Sequence, residues 1–127
     1  MRYLGIDYGT KRVGIALSDE AGMMAFPKDV VANTEKLLDD LLTICEKEGV
    51  EKVVVGESKN LDGTPNPLME DINSFVTDWK ARSVIPIVLE PEFLTSHQAQ
   101  KIQGKNDMID ESAAAIILQS YLDRTAA

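Results

Sequence analysis

The chain has 127 residues, 44% of them hydrophobic, which is enough for one domain, residues 1–127, with a buried core. Twenty-one acidic residues against thirteen Lys plus Arg give a formal charge of −8, which argues against nucleic-acid binding by bulk charge. A single Cys and a single His exclude an internal disulfide and multi-cysteine or multi-histidine metal centres, so any metal here is a hard cation held by carboxylates.

Tyr3-Leu4-Gly5-Ile6 and Val13-Gly14-Ile15-Ala16-Leu17 are short apolar runs joined by Asp7-Tyr8-Gly9-Thr10, a pattern that predicts a β-hairpin. Residues 23–31 predict a third strand, and Pro27 suits it to a sheet edge. Asn33 or Thr34 is expected to cap a helix whose Leu37, Leu38, Leu41, Leu42, Ile44 and Cys45 form one stripe, with Gly49 ending it. Lys52-Val53-Val54-Val55-Gly56 reads as a strand covered on both faces. After a polar loop, Pro67 opens a helix with Leu68, Ile72, Phe75, Val76 and Trp79 at intervals of three and four. Residues 85–89 make a fifth strand. Thr95-Ser96-His97-Gln98 matches a capping box opening a short helix, and Asp107 is expected to cap a last helix over about 108–124. This order predicts an α/β fold: a five-stranded mixed sheet, three strands antiparallel and two parallel, with helices on both faces. Ligand sites in such sheets lie at the carboxyl ends of the central strands.

Asp7 ends a strand expected to be central. It either opens the turn by bonding backbone amides or serves as a metal or phosphate ligand. Asp110 shares a helical stripe with Ala113, Ala114, Ile117 and Tyr121, so it either steadies the helix N-terminus or takes a paired or metal-bound role on the inward face. Glu57 and Glu92 follow the fourth and fifth strands; the plain alternative for both is a solvated loop acid. Carboxylates meeting at one sheet edge repel one another unless a divalent cation sits among them, and such a cluster suits phosphodiester hydrolysis. Lys11 and Arg12, beside Asp7, are either substrate contacts or a solvated hairpin tip. Cys45 and Trp79 are expected to pack in the interior, and His97 to lie on a helix surface.

Gly5-Ile6-Asp7-Tyr8-Gly9-Thr10-Lys11-Arg12-Val13-Gly14-Ile15-Ala16-Leu17-Ser18-Asp19 resembles the opening of the YqgF/RuvX family of Holliday-junction-resolvase-like nucleases. Val54-Val55-Gly56 with Asn60-Leu61-Asp62-Gly63-Thr64, then Leu94-Thr95-Ser96, then residues 110–122 resemble its later motifs, in order along the chain. The resemblance implies a ribonuclease H-like fold and a Mg²⁺- or Mn²⁺-dependent nuclease acting on structured RNA or branched DNA. Its implied roles are pre-16S rRNA 5′-end processing or junction resolution. It implies Asp7, Asp110 and Glu92 as catalytic metal ligands, Glu57 as a further catalytic acid, and Thr10, Lys11, Arg12 and Thr95 as substrate contacts. Three features depart from the family pattern. Phe93 replaces an Arg, Glu57-Ser58 replaces Leu-Pro, and the segment between Thr95 and Asp110 is short, with only Lys101 and Lys105 as basic residues.

Two other readings compete: a nucleic-acid-binding or regulatory member of the fold that has lost catalysis, and a nucleotide-binding module of the actin and sugar-kinase type. The sequence carries no membrane-spanning run and one thiol, so cytoplasmic residence is expected, as a monomer or homodimer.

Overall fold

A computed structural model describes residues 1–58, 67–91 and 110–125, with 110 and 111 described as backbone only. Its elements are β1 (Arg2–Asp7), β2 (Arg12–Ser18), β3 (Ala25–Ala32), α1 (Leu37–Glu48), β4 (Val50–Gly56), α2 (Pro67–Arg82), β5 (Ile87–Glu90) and α3 (Asp110–Thr125). The strands form one sheet in the order β3-β2-β1-β4-β5. β1 pairs antiparallel with β2, and β2 antiparallel with β3; β1–β4 and β4–β5 are parallel. The expected mixed sheet is therefore present, with β1 at its centre. The short helix expected from Thr95 lies outside the described residues, as does His97.

Both faces of the sheet are covered. On one, Leu4, Ile6, Val13, Ile15, Val53 and Val55 pack against Leu37, Leu41 and Cys45 of α1 and against Ile72, Phe75 and Trp79 of α2. On the other, Ala16 and Val54 pack against Ala114, Ile117, Leu118, Tyr121 and Leu122 of α3. The β-branched residues of β4 alternate between these two cores, which explains why that strand reads as uninterrupted hydrophobic sequence. Trp79 is fully buried, and its indole N–H donates to the Ile85 carbonyl at 2.9 Å, so it is a core residue.

β3 starts at Ala25 and β4 at Val50, each two residues from the sequence expectation, and two further boundaries differ for a visible reason. α1 starts at Leu37, with Lys36 in the capping position and no side-chain cap. Asn33 is committed elsewhere: its side-chain amide donates to the Gly9 carbonyl at 2.7 Å, and its backbone N–H to the Lys11 carbonyl at 3.0 Å. Thr34 accepts from the Lys36 N–H at 3.1 Å, shaping the turn before the helix. β5 starts at Ile87 rather than at 85, because the Ile85 carbonyl is taken by the Trp79 indole and Pro86 has no N–H, its carbonyl accepting the first bond from β4 through the Val53 N–H.

Candidate active site

Side chains alternate along a strand, so Leu4 and Ile6 enter the α1/α2 core while Tyr3, Gly5 and Asp7 fall on the α3 face. The Tyr3 ring meets that of Tyr121, centroids 5.9 Å apart. A Cβ on Gly5 would stand 2.6 Å from Leu118 Cβ and 2.9 Å from the Ala114 carbonyl oxygen. Going up β1 therefore means going back along α3 toward its first residue, Asp110. The strand advances about 6.6 Å from Gly5 to Asp7, and the helix backs up about 6 Å from Ala114 to Asp110. Asp7 and the opening turn of α3 thus share one edge of the molecule.

The ladder sets a glycine on each side of Asp7. Its partner on β2 is Gly14, and the β1–β4 register, continued one step beyond Ile6 and Val55, sets it next to Gly56. No neighbouring strand side chain flanks the Asp7 carboxylate on that face. Ile117 closes over Gly56, where an added Cβ would come within 2.7 Å of its Cδ1. The loop after Asp7 is held by the two Asn33 hydrogen bonds, which fix the exposed Thr10, Lys11 and Arg12 at the same edge as Asp7.

Glu57 shares the edge but not the face. Its N–H donates to the Glu90 carbonyl at 2.9 Å, continuing the β4–β5 ladder, so alternation assigns its side chain to the α1/α2 side. Glu92 and Thr95 lie outside the described residues, and Asp110 is placed by its backbone. Among the described residues no three acidic, His or Cys side chains converge as a metal cluster. The thiol chemistry is excluded: Cys45 is buried, and desolvation pushes its pKa up to about 11. On the α1/α2 side a cavity of about 250 Å³ opens beside Tyr8, walled by Glu35, Asp71 and Asp78. Those acids would repel a phosphate in this cavity.

One residue at this edge escaped the sequence reading. Glu90, the last residue of β5, pairs with Gly56 and is only 2% exposed. It accepts from Ser120 Oγ at 3.0 Å and forms a salt bridge with Arg124. That bond and the Glu90 charge raise the Arg124 pKa above its ordinary value. The available signal was an acid two residues after Val88 on an apolar strand, matched by Ser120 and Arg124 one helical turn apart.

The comparisons with known proteins agree with this fold. Residues 1–124 match the family model described as "RuvX: Holliday junction resolvase". The chain belongs to the RuvX family. It is therefore a member of a nuclease family. A relative from Nitratidesulfovibrio vulgaris (strain DSM 19637 / Miyazaki F), named "Putative pre-16S rRNA nuclease", is 39% identical over 97% of this chain and 94% of its own length. A RuvX relative of the same name from Geobacillus kaustophilus (strain HTA426) is 38% identical over 97% of this chain and 98% of its own. Among solved structures, T. thermophilus RuvC in complex with a Holliday junction substrate superposes with a TM-score of 0.65 at 15% identity, covering 99% of this chain and 97% of that one. The fowlpox virus Holliday junction resolvase superposes at 0.55 and 13% identity, covering 98% and 99%. These likenesses establish the ribonuclease H-like fold. No described helix of this RuvX chain is long and apolar enough to cross a membrane.

Proposed function

We propose that this RuvX chain is a divalent-cation-dependent endonuclease that cuts structured nucleic acid, with precursor 16S rRNA as the substrate. One observation carries the reading: Asp7 ends the central strand between two glycines, at the edge where α3 begins with Asp110. The names of the relatives favour ribosomal precursor RNA. Branched DNA is the competing substrate, and the reading includes cytoplasmic residence as a monomer or homodimer.

Asp7, Asp110 and Glu92 would hold Mg²⁺ or Mn²⁺, since carboxylate oxygens are the donors these hard cations take. A bound ion of this kind supplies Lewis acidity at the scissile phosphate and a nucleophilic water at neutral pH. Glu57, at the same edge but facing the α1/α2 side, would act as a further acid from the margin of the site rather than as a ligand. Lys11 and Arg12 bind phosphates flanking the cut, while Thr10 and Thr95 donate hydroxyl hydrogen bonds to the same backbone.

The test uses purified full-length chain with folded precursor RNA or four-way DNA junctions, in Mn²⁺, Mg²⁺ or EDTA. Cleavage of RNA that stops in EDTA, and that Asp7→Asn and Asp110→Asn each reduce by at least about a hundredfold, supports the reading. Cleavage of junction DNA alone reassigns the substrate. Binding without cleavage in any metal would mark a non-catalytic member.

A further inference from the structure

We propose that Glu90 is a positioning residue for the nuclease site: through Ser120 and Arg124 it fixes where α3 sits along the sheet, and thereby where Asp110 meets Asp7. This rests on the metal-nuclease reading above and assigns to that site a residue outside its ligand set.

The central contacts of α3 are apolar and made over glycine. Leu118 and Ala114 lie on Gly5, and Ile117 lies on Gly56. Contacts of this kind set the distance between helix and sheet but fix the sliding position weakly. Directional bonds do that, and among the described residues they lie at the far end of α3. On the β3 side, Gln119 Oε1 accepts from the Ala25 N–H at 2.8 Å, and its Nε2 donates to the Met23 carbonyl at 3.0 Å. On the β5 side, Glu90 Oε2 accepts from Ser120 Oγ at 3.0 Å and from Arg124 Nε at 3.5 Å, while Oε1 takes Arg124 Nη2. The two anchors flank the helix axis. A rigid helix carries their position back to its first residue, and slipping by one turn would move Asp110 by about 5.4 Å.

Glu90 suits this work better than a surface ion pair would. At 2% exposure its charge is desolvated, so it is held to its partners rather than exchanging with water. It also belongs to the sheet row of Asp7, being paired to Gly56, so it ties α3 to the row that carries the first acid. Its chain continues through Pro91 into Glu92, another acid of the proposed ligand set.

The experiment compares wild type, Glu90→Gln, Arg124→Gln and Arg124→Lys as full-length proteins. Arg82→Gln, which breaks an exposed α1–α2 ion pair with Asp39, serves as a control for lost ion pairing. Mn²⁺ alone is titrated by calorimetry, cleavage is resolved into kcat and KM, and amide exchange is followed at residues 113–116. Expected are about tenfold weaker Mn²⁺ binding and a lower kcat at nearly constant KM for Glu90→Gln and Arg124→Gln. Arg124→Lys should recover part of the loss. Amide exchange should quicken at 113–116, two turns or more from Arg124 and one to two turns from Ser120.

Variants that melt earlier yet keep wild-type Mn²⁺ affinity, kcat and 113–116 exchange would overturn the proposal and leave Glu90 a structural anchor only. Should Glu90→Gln not fold, Arg124→Gln decides, since that side chain is half exposed. If Asp7→Asn binds Mn²⁺ as wild type does, the cation reading itself fails. If Asp7→Asn loses Mn²⁺ while Glu90→Gln keeps it, only the positioning role fails.

Discussion

Asp7 owes its setting to residues that have no side chain. Gly5 lets α3 sit against β1, Gly14 pairs with Asp7 on β2, and Gly56 beside it lets Ile117 close down on the sheet. The two close contacts differ in kind. A methyl at Gly5 meets Leu118 Cβ and a helix carbonyl, neither of which can rotate away, whereas at Gly56 it meets the end of the Ile117 side chain. Gly5→Ala should cost about 2–3 kcal/mol by urea unfolding, and Gly56→Ala distinctly less. The sequence shows these glycines inside strands, where glycine marks a bulge or a close approach, but it does not say what approaches. Asp7 itself was legible because a carboxylate at the end of a central strand is unusual. Glu90 was not, because the Ser120 and Arg124 that satisfy it are thirty or more residues away.

Asp19 gives a second test at the same scale. Its carboxylate accepts the Met23 and Met24 N–H groups at 2.8 and 3.2 Å, and these bonds hold its pKa below the ordinary 3.8. A lowered folded value means the stabilisation is complete above the unfolded value and fades as pH falls through the folded one. Asp19→Ala should therefore be less stable than wild type at pH 7. The gap in melting temperature should close as the pH is taken below about 4.

Helix ends show how local signals are overruled. Gly49 ends α1 as expected: it takes φ +69° and its N–H bonds the Cys45 carbonyl. A Cβ there meets nothing, so Gly49→Ala exposes the backbone cost alone, about 1 kcal/mol, with Asn costing less. Chemical denaturation of the two variants would measure it. The start of α1 was misread for a reason visible at the site. Asn33 has the chemistry of a cap, but Gly9 and Lys11 compete for it, and a tertiary partner won. The type of each described element was legible, since periodicity decides it. The start of α2 at Pro67 was legible too, since proline suits a first helical turn, but the start of α1 was not, since its hydrogen-bonding side chain is claimed from elsewhere in the fold.

At the scale of the molecule, a charge of −8 must be reconciled with a polyanionic substrate. Few phosphates can be neutralised, so affinity should depend only shallowly on monovalent salt. Each basic contact removed from the hairpin tip should lower the slope of log K against log[salt] by about one, less for a single-stranded segment. Lys11→Gln and Arg12→Gln, assayed by filter binding from 50 to 200 mM KCl, would show it. A steep slope surviving both changes would place the phosphate contacts elsewhere.

The two acids that define the proposed centre are separated by about a hundred residues of chain, and the later one is brought by the helix that, among the described residues, alone covers its side of the sheet. During synthesis the five strands and the opposite layer of helices are all made before that helix. A nascent or truncated chain lacking it would display a bare apolar sheet and half a catalytic centre, so it could aggregate or recruit a chaperone but not cut. Completion of the last layer and the onset of nucleolysis would then be a single event, and the cell would meet no partly folded form able to damage its RNA.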